Sequence, residues 1–137
     1  MFGNNWGHAF FQPRACDFCD DIMAETADIA FGDAWLPQYE SIWQGTNLVV
    51  VRNRHLQDLL NDGVSQRSIV LEDLSTDAAA TSQDGNYRHR WDGLSVRLRD
   101  EIRRGGWVPR KRIQPGSRRV PWWRRRIVRL REKICCA

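Results

Sequence analysis

The chain has 137 residues, 42% of them hydrophobic, which is enough for one modest domain but not for two full cores. Its net charge of +4 is unevenly distributed, since residues 1–87 hold 4 basic and 13 acidic side chains whereas residues 88–137 hold 17 and 4. The start of the chain lacks the pattern of a signal peptide and no stretch approaches the roughly 20 apolar residues of a membrane span, so we expect a soluble or at most peripheral protein.

The predicted elements of the first half follow the hydrophobic pattern. Residues 27–31 predict a short strand that Gly32 ends, and the β-branched run at 47–52 predicts a buried strand. Asn53 can cap a helix that ends near Gly63, and residues 68–71 predict a return strand. The fold class is therefore α/β or α+β: a small mixed sheet with a βαβ unit, followed by a helix and a basic C-terminal tail.

The second half carries fewer diagnostic patterns. Residues 76–86 are small and polar and predict a linker, and residues 87–105 predict a helix with one apolar stripe and a Gly-Gly end. Residues 106–137 form a tail rich in Trp and Arg, in which residues 122–131 can wind as a basic amphipathic helix. Residues 1–75 then form the main domain.

The pair Cys16 and Cys19 is the strongest candidate for chemistry. Two thiols three positions apart can bind one zinc ion or one iron–sulfur cluster, or they can be two reduced thiols with no ligand. Cys135 and Cys136 lie far along the chain, so a zinc site would need His8 or an acidic neighbour. A thioredoxin-like redox pair is disfavoured by the acidic surroundings of the motif. The cysteine pattern does not resemble a secreted disulfide framework and favours the cytoplasm.

A second candidate site follows the first predicted strand. Asp28, Gly32 and Asp33 form an Ala-Asp-Ile-x-x-Gly-Asp motif at a strand end, where open α/β sheets commonly bind ligands. The alternative is turn chemistry, with Gly32 at positive φ and Asp33 bonding its own backbone.

Several short motifs, in a fixed order over about residues 8–75, resemble one family. They are R-x-C-x-x-C-D at Arg14 to Asp20, E-x-A-D-I at Glu25 to Ile29, G-D at Gly32 and Asp33, and G-T-x-x-V-V-V-R at Gly45 to Arg52. With the leucine-rich helix that follows, the chain resembles the C-terminal region of the coenzyme F-420 hydrogenase/dehydrogenase beta-subunit family.

The resemblance implies an iron–sulfur flavoprotein oxidoreductase. Members bind FAD and a 4Fe-4S cluster and transfer electrons to or from coenzyme F-420 or another organic acceptor. On this chain the metal ligands would be Cys16 and Cys19, and the cofactor-facing residues would be Asp28, Gly32 and Asp33. Relatives have a further cysteine-rich N-terminal region, so we expect a truncated or partial member that needs another chain for its remaining ligands, and a redox partner such as ferredoxin.

The basic tail leaves three alternatives open. It can pack on the acidic part of the chain, or it can dock on an anionic membrane surface or on nucleic acid as a non-enzymatic binding module. Charge alone does not choose among them.

Overall fold

The computed structural model describes residues 13–135, which divide into two compact units. The terminal unit joins residues 13–21 to residues 85–135, and the central unit holds residues 22–84. The domain boundaries predicted from the sequence, with a main domain over residues 1–75, stay a prediction.

The central unit is built on a two-stranded antiparallel sheet. Strand β1 spans Ile29–Asp33 and pairs with β2, Asn47–Val51, so that Ile29 lies opposite Val51 and Gly32 opposite Leu48. A 3-10 turn at Pro37–Tyr39 lies in the connection between them. The prediction that Gly32 ends the strand is wrong, because the pairing continues through it to Asp33.

The predicted βαβ unit and mixed sheet are wrong for the described residues. Helix α2, Arg54–Ser65, follows β2 as expected, but residues 68–71 belong to no strand, and Val70 is 88% exposed. An apolar β-branched run shows that a segment suits a sheet, yet it forms a strand only where a neighbouring strand offers hydrogen bonds. The coarser assignment of a mixed α and β protein is confirmed.

Capping residues explain the two helices of the central unit. The Asn53 side chain accepts a hydrogen bond from the backbone N–H of His55 at 2.9 Å, which confirms the predicted cap of α2. Ser75 caps α3, Thr76–Ser82, through its hydroxyl and the backbone N–H of Ala78 at 3.2 Å. Most of the segment predicted as a linker is therefore helical.

The terminal unit is built around a nearly continuous helical segment. Helix α4, Asp84–Tyr87, begins one residue before this unit and leads into a π-helical stretch, Arg88–Gly93, and then into α5, Leu94–Arg103. Leu94 and Leu98 are buried with Ile113, and Phe18, Trp91 and Val108 pack against them. The predicted helix is thus present, and Gly105, at φ +74°, follows its end as expected.

Two further segments complete the terminal unit. Helix α1, Arg14–Asp17, is a single turn that carries Cys16, and α6 spans Trp122–Cys135. The irregular chain before α6 is tied to α5, since Ser95 accepts hydrogen bonds from the backbone N–H groups of Gly116 and Arg118. Across the described part of the chain, no helix combines the length and apolar character that a bilayer crossing requires.

Candidate functional site

The two candidate thiols lie in one turn of the terminal unit. Cys16 is in α1, and the backbone N–H of Cys19 donates to the Cys16 carbonyl oxygen at 3.3 Å. Both cysteines are reduced and half-buried, and the Cys19 thiol donates to the carbonyl oxygen of Asp21 at 3.7 Å. The two candidate thiols thus share one short backbone turn.

Side chains from distant sequence hold this turn in place. Arg97 Nε donates to the Asp17 carbonyl oxygen at 2.8 Å, and Trp91 Nε1 donates to the Asp20 carbonyl oxygen at 3.1 Å. The ammonium group of Lys111 lies 3.3 Å from Asp20 Oδ1. Burial raises the pKa of Asp20, but the hydrogen bond and charge of Lys111 outweigh it and lower that pKa. The cysteine turn is therefore fixed by the basic part of the chain.

Sequence reasoning missed a buried arginine and a half-buried histidine near this turn. Arg97 is only 4% exposed, and burial lowers its pKa to about 10, so it remains a cation at neutral pH. Burial, reinforced by neighbouring arginines including Arg131, lowers the pKa of His89 to about 3. One imidazole nitrogen, Nδ1, lies 3.2 Å from Arg131 Nη1. In the sequence, the only indication that Arg97 would be buried was its place on a helix with an apolar stripe.

A cavity of about 390 Å³ lies in the terminal unit beside the cysteine turn. Arg14, Asp17 and Phe18, which flank Cys16 in the sequence, form part of its wall. Arg14 pairs with Glu101 at 2.7 Å, and Glu132 lies 3.6 Å from Arg104, with its pKa raised by burial. Arginines and carboxylates thus line this cavity in equal numbers.

The thiol pair supplies only part of a metal site. Within residues 13–135 there is no group of three or more cysteine, histidine or acidic side chains placed to hold one ion. The pair fits a cluster as two of its ligands. His8, the ligand considered for a zinc site, lies outside the described residues.

The second candidate site lies in the central unit, where three of the family motifs meet. The Arg52 guanidinium donates to the carbonyl oxygens of Met23, Ala24 and Ala27 at 2.9, 3.1 and 3.0 Å. The backbone N–H of Arg52 also donates to the Asp28 carbonyl oxygen at 2.8 Å. Arg52, the final residue of the G-T-x-x-V-V-V-R motif, therefore holds the loop that carries E-x-A-D-I.

The three residues of this second site have different neighbours. Asn53 Nδ2 donates to Asp28 Oδ1 at 3.2 Å, and the Gln83 amide donates to the Asp33 carbonyl oxygen at 2.8 Å. Gly32 is not at positive φ, so the turn interpretation is wrong for it, and it lines a cavity of about 70 Å³. This cavity is smaller than the roughly 300 Å³ of typical cofactor sites, so it can form only one wall of a flavin site.

The five site residues predicted from the sequence are divided between the two units. Cys16 and Cys19 lie in the terminal unit, and Asp28, Gly32 and Asp33 lie in the central unit. Their roles as metal ligands and cofactor-facing residues stay predictions.

Comparison with known proteins places the chain in a family. No curated protein and no solved structure matches the chain significantly. Residues 4–77, more than half of the sequence, match the family described as coenzyme F-420 hydrogenase/dehydrogenase, C terminus of the beta subunit, and this segment contains both predicted sites. The resemblance predicted from the motifs is thereby confirmed, and the chain belongs to this family of oxidoreductase subunits.

Proposed function

We propose that this chain is one component of a cytoplasmic iron–sulfur flavoprotein that transfers electrons between a redox partner such as ferredoxin and coenzyme F-420 or another organic acceptor. The family match supports the coenzyme F-420-linked oxidoreductase context. The observation that carries the proposal is the anchored turn with two reduced, half-buried thiols. When bound, a flavin supplies two-electron hydride exchange and a cluster supplies one-electron transfer.

The residues of the chain have distinct roles in this proposal. Cys16 and Cys19 supply two of the four thiolates of a 4Fe-4S cluster, and the remaining ligands come from another polypeptide or another segment of the protein. Arg97 holds the turn through the Asp17 carbonyl oxygen, and Lys111 holds it through the Asp20 carboxylate. The turn is therefore positioned before the metal binds. Asp28, Gly32 and Asp33 form one wall of the flavin site.

Metal reconstitution tests the role of the thiols. The protein is incubated anaerobically with iron, sulfide and an excess of a small thiol that can complete the ligand set, or separately with zinc, and bound metal is measured together with visible absorption. We expect iron with the broad visible absorption of a cluster, lost in Cys16→Ser and Cys19→Ser. Cys135→Ser is the matched control and should retain the absorption. Zinc binding without iron would instead establish a zinc-stabilised domain, and an absence of metal from every sample would refute the cluster assignment.

FAD titration of Gly32→Ala tests the flavin wall separately. A Cβ atom at Gly32 would meet only the Gln83 side chain, at 3.9 Å, so the fold should accept the alanine. Weaker FAD binding by this variant would therefore report contact between Gly32 and the ligand. Gly85→Ala is the control, because its Cβ would lie at a similar 3.8 Å from the Arg88 side chain. Measurable FAD binding of equal affinity in the wild type and Gly32→Ala would contradict the assignment.

A further inference from the structure

Helix α6 exposes its apolar side. Trp123, Ile127 and Leu130 are spaced at i, i+4 and i+7, which places them in one stripe along the helix. They are 47%, 51% and 59% exposed, and Trp122, at the first position of the helix, is 70% exposed. The apolar stripe therefore does not serve as the packing surface of α6 within the terminal unit.

The opposite side of α6 makes polar contacts with the terminal unit. Arg125, Arg129 and Glu132 have the same i, i+4, i+7 spacing, about half a turn from the apolar stripe. Arg129 forms a bidentate pair with the carboxylate of Asp100 on α5, with distances of 2.6 and 3.1 Å. Arg125 Nε donates to the carbonyl oxygen of Val120 at 2.8 Å. The helix is thus held by its charged side.

This orientation is the reverse of that of an ordinary surface helix. A helix of a globular protein normally packs its apolar stripe on the core and presents its charges to water. A contiguous row of exposed Trp, Ile and Leu is typical of a surface that binds something else. Because the polar contacts hold α6 in place, its apolar stripe remains available to an external partner.

Cations surround the exposed stripe. The Arg124 guanidinium lies 5.1 Å from the ring centre of Trp123, and that of Arg126 lies 5.9 Å from the ring centre of Trp122. Arg119, which is exposed, lies three residues before the start of the helix. Tryptophan and arginine side by side match a boundary where aromatic rings enter an apolar layer and cations meet anionic groups above it.

An anionic bilayer satisfies both properties of this surface, and nucleic acid satisfies only one. Nucleic acid would pair with arginines, but it offers no apolar layer for Ile127 and Leu130. Arg125 and Arg129, which a nucleic-acid site would direct outward, instead make contacts within the terminal unit. The charge complementarity and the apolar stripe together favour an anionic phospholipid surface as the partner.

We propose that α6 docks this protein on anionic phospholipid bilayers, lying in the plane of the surface with Trp123, Ile127 and Leu130 at headgroup depth. The helix does not cross the bilayer, since it has 14 residues and a row of charges on one side. This inference is independent of the proposed redox function, because it uses no residue of either predicted cofactor site.

Co-flotation with vesicles tests this proposal on the full chain. Vesicles of phosphatidylcholine, with or without about one-third phosphatidylglycerol, are mixed with the protein at low and high salt. We expect binding to the anionic vesicles that weakens with salt, and a loss of about tenfold in binding for Leu130→Gln and for Ile127→Gln. Both side chains are half-exposed, so the fold should tolerate glutamine.

Leu59→Gln is the matched control. Leu59 is also a helical leucine, on α2 of the central unit, and it is 65% exposed compared with 59% for Leu130. It should bind vesicles as the wild type does. Equal losses in Leu59→Gln and Leu130→Gln would show that the effect is general to exposed leucines and would overturn the assignment to α6.

Three other results would overturn the proposal. One is equal binding to neutral and anionic vesicles, which would remove the role of charge. Another is no vesicle binding but salt-sensitive binding to a DNA or RNA oligonucleotide that Leu130→Gln leaves unchanged, which would identify nucleic acid as the partner. The third is a dimer that Leu130→Gln dissociates without any vesicle binding, which would show that a second copy covers the stripe.

Discussion

Replacing Arg129 by methionine tests whether polar contacts hold α6 in place. Methionine keeps much of the length of the side chain and the helix propensity but removes both hydrogen bonds to Asp100. The Asp100 side chain is only 8% exposed, and its other ion pair, with Arg99 Nε, is long at 3.7 Å. The variant therefore leaves a buried carboxylate with a weak partner.

The expected cost follows from the exposure of the two partners. Breaking a fully buried ion pair costs about 3–5 kcal/mol, and breaking an exposed pair costs about 0–1 kcal/mol. Because the Arg129 side chain is 44% exposed, we expect an intermediate loss of about 2 kcal/mol in the free energy of unfolding. Urea unfolding at pH 7, followed by far-ultraviolet circular dichroism, measures it.

The pH dependence of this loss supplies an internal check. The Arg129 hydrogen bond lowers the pKa of Asp100 below its ordinary value of 3.8. The stabilisation is therefore fully present above that value and disappears as the pH falls through the lower pKa of the folded protein. Arg126→Met, on the same helix but without a partner carboxylate among the ion pairs of the described residues, should change stability by less than about 0.5 kcal/mol. A loss in Arg129→Met no larger than in Arg126→Met, or one that persists in strong acid, would refute the reasoning.

Three further predictions concern the loop that Arg52 holds and the half-buried His89. Arg52→Lys should lower the free energy of unfolding by about 1–2 kcal/mol, because one ammonium group cannot reach three separated carbonyl oxygens as a guanidinium does. Ala24→Gly should raise it by about 1 kcal/mol, because Ala24 has a φ of +48°, where a side chain is strained. His89→Gln should reduce the loss of stability in acid. The pKa of His89 is lowered to about 3, so neutral His89 contributes fully to the free energy of unfolding above the ordinary pKa of 6.5. Below pH 6.5 this contribution declines, by about 1–2 kcal/mol at pH 5 for this partly buried group.

Each of these predictions has a control or an opposing result. Arg54→Lys, at the exposed first position of α2, should be nearly neutral in the same urea experiment. A stability of Ala24→Gly at or below that of the wild type would mean that the added freedom of the unfolded chain outweighs the relief of strain. For His89→Gln, a stability profile between pH 7 and pH 4 parallel to that of the wild type would contradict the lowered pKa of the half-buried histidine.

Local signals were sufficient for some elements of this fold. The β-branched run before Asn53 and the capping side chain of Asn53 itself predicted β2 and α2, because both depend on neighbours in the sequence. Ser75 carries the same kind of capping signal for α3, but the small polar composition of the segment favoured a linker. The assignment of a strand at residues 68–71 failed because strand formation depends on a partner that the local sequence does not specify.

The orientation of side chains depended on information that local patterns lack. Arg97 and Asp100 are buried on α5, although both residue types usually face solvent. The periodicity of α6 identified an apolar stripe, but the direction that the stripe faces is set by Asp100 and the other polar partners of the helix. The spacing of Cys16 and Cys19, and then the family motifs, identified them as candidates, whereas the residues that anchor their turn became visible only in the structure.

The anchoring of the cysteine turn has a consequence for biosynthesis. Asp17 and Asp20 are held by Arg97, Trp91 and Lys111, which follow them by 71 to 91 positions in the chain. While the ribosome is still adding those later residues, the two thiols emerge without their supports, and closing so long a loop is slow. Insertion of the proposed metal would then come only after residues 91–111 have been made, and until then the thiols would be open to oxidation or to capture by assembly chaperones.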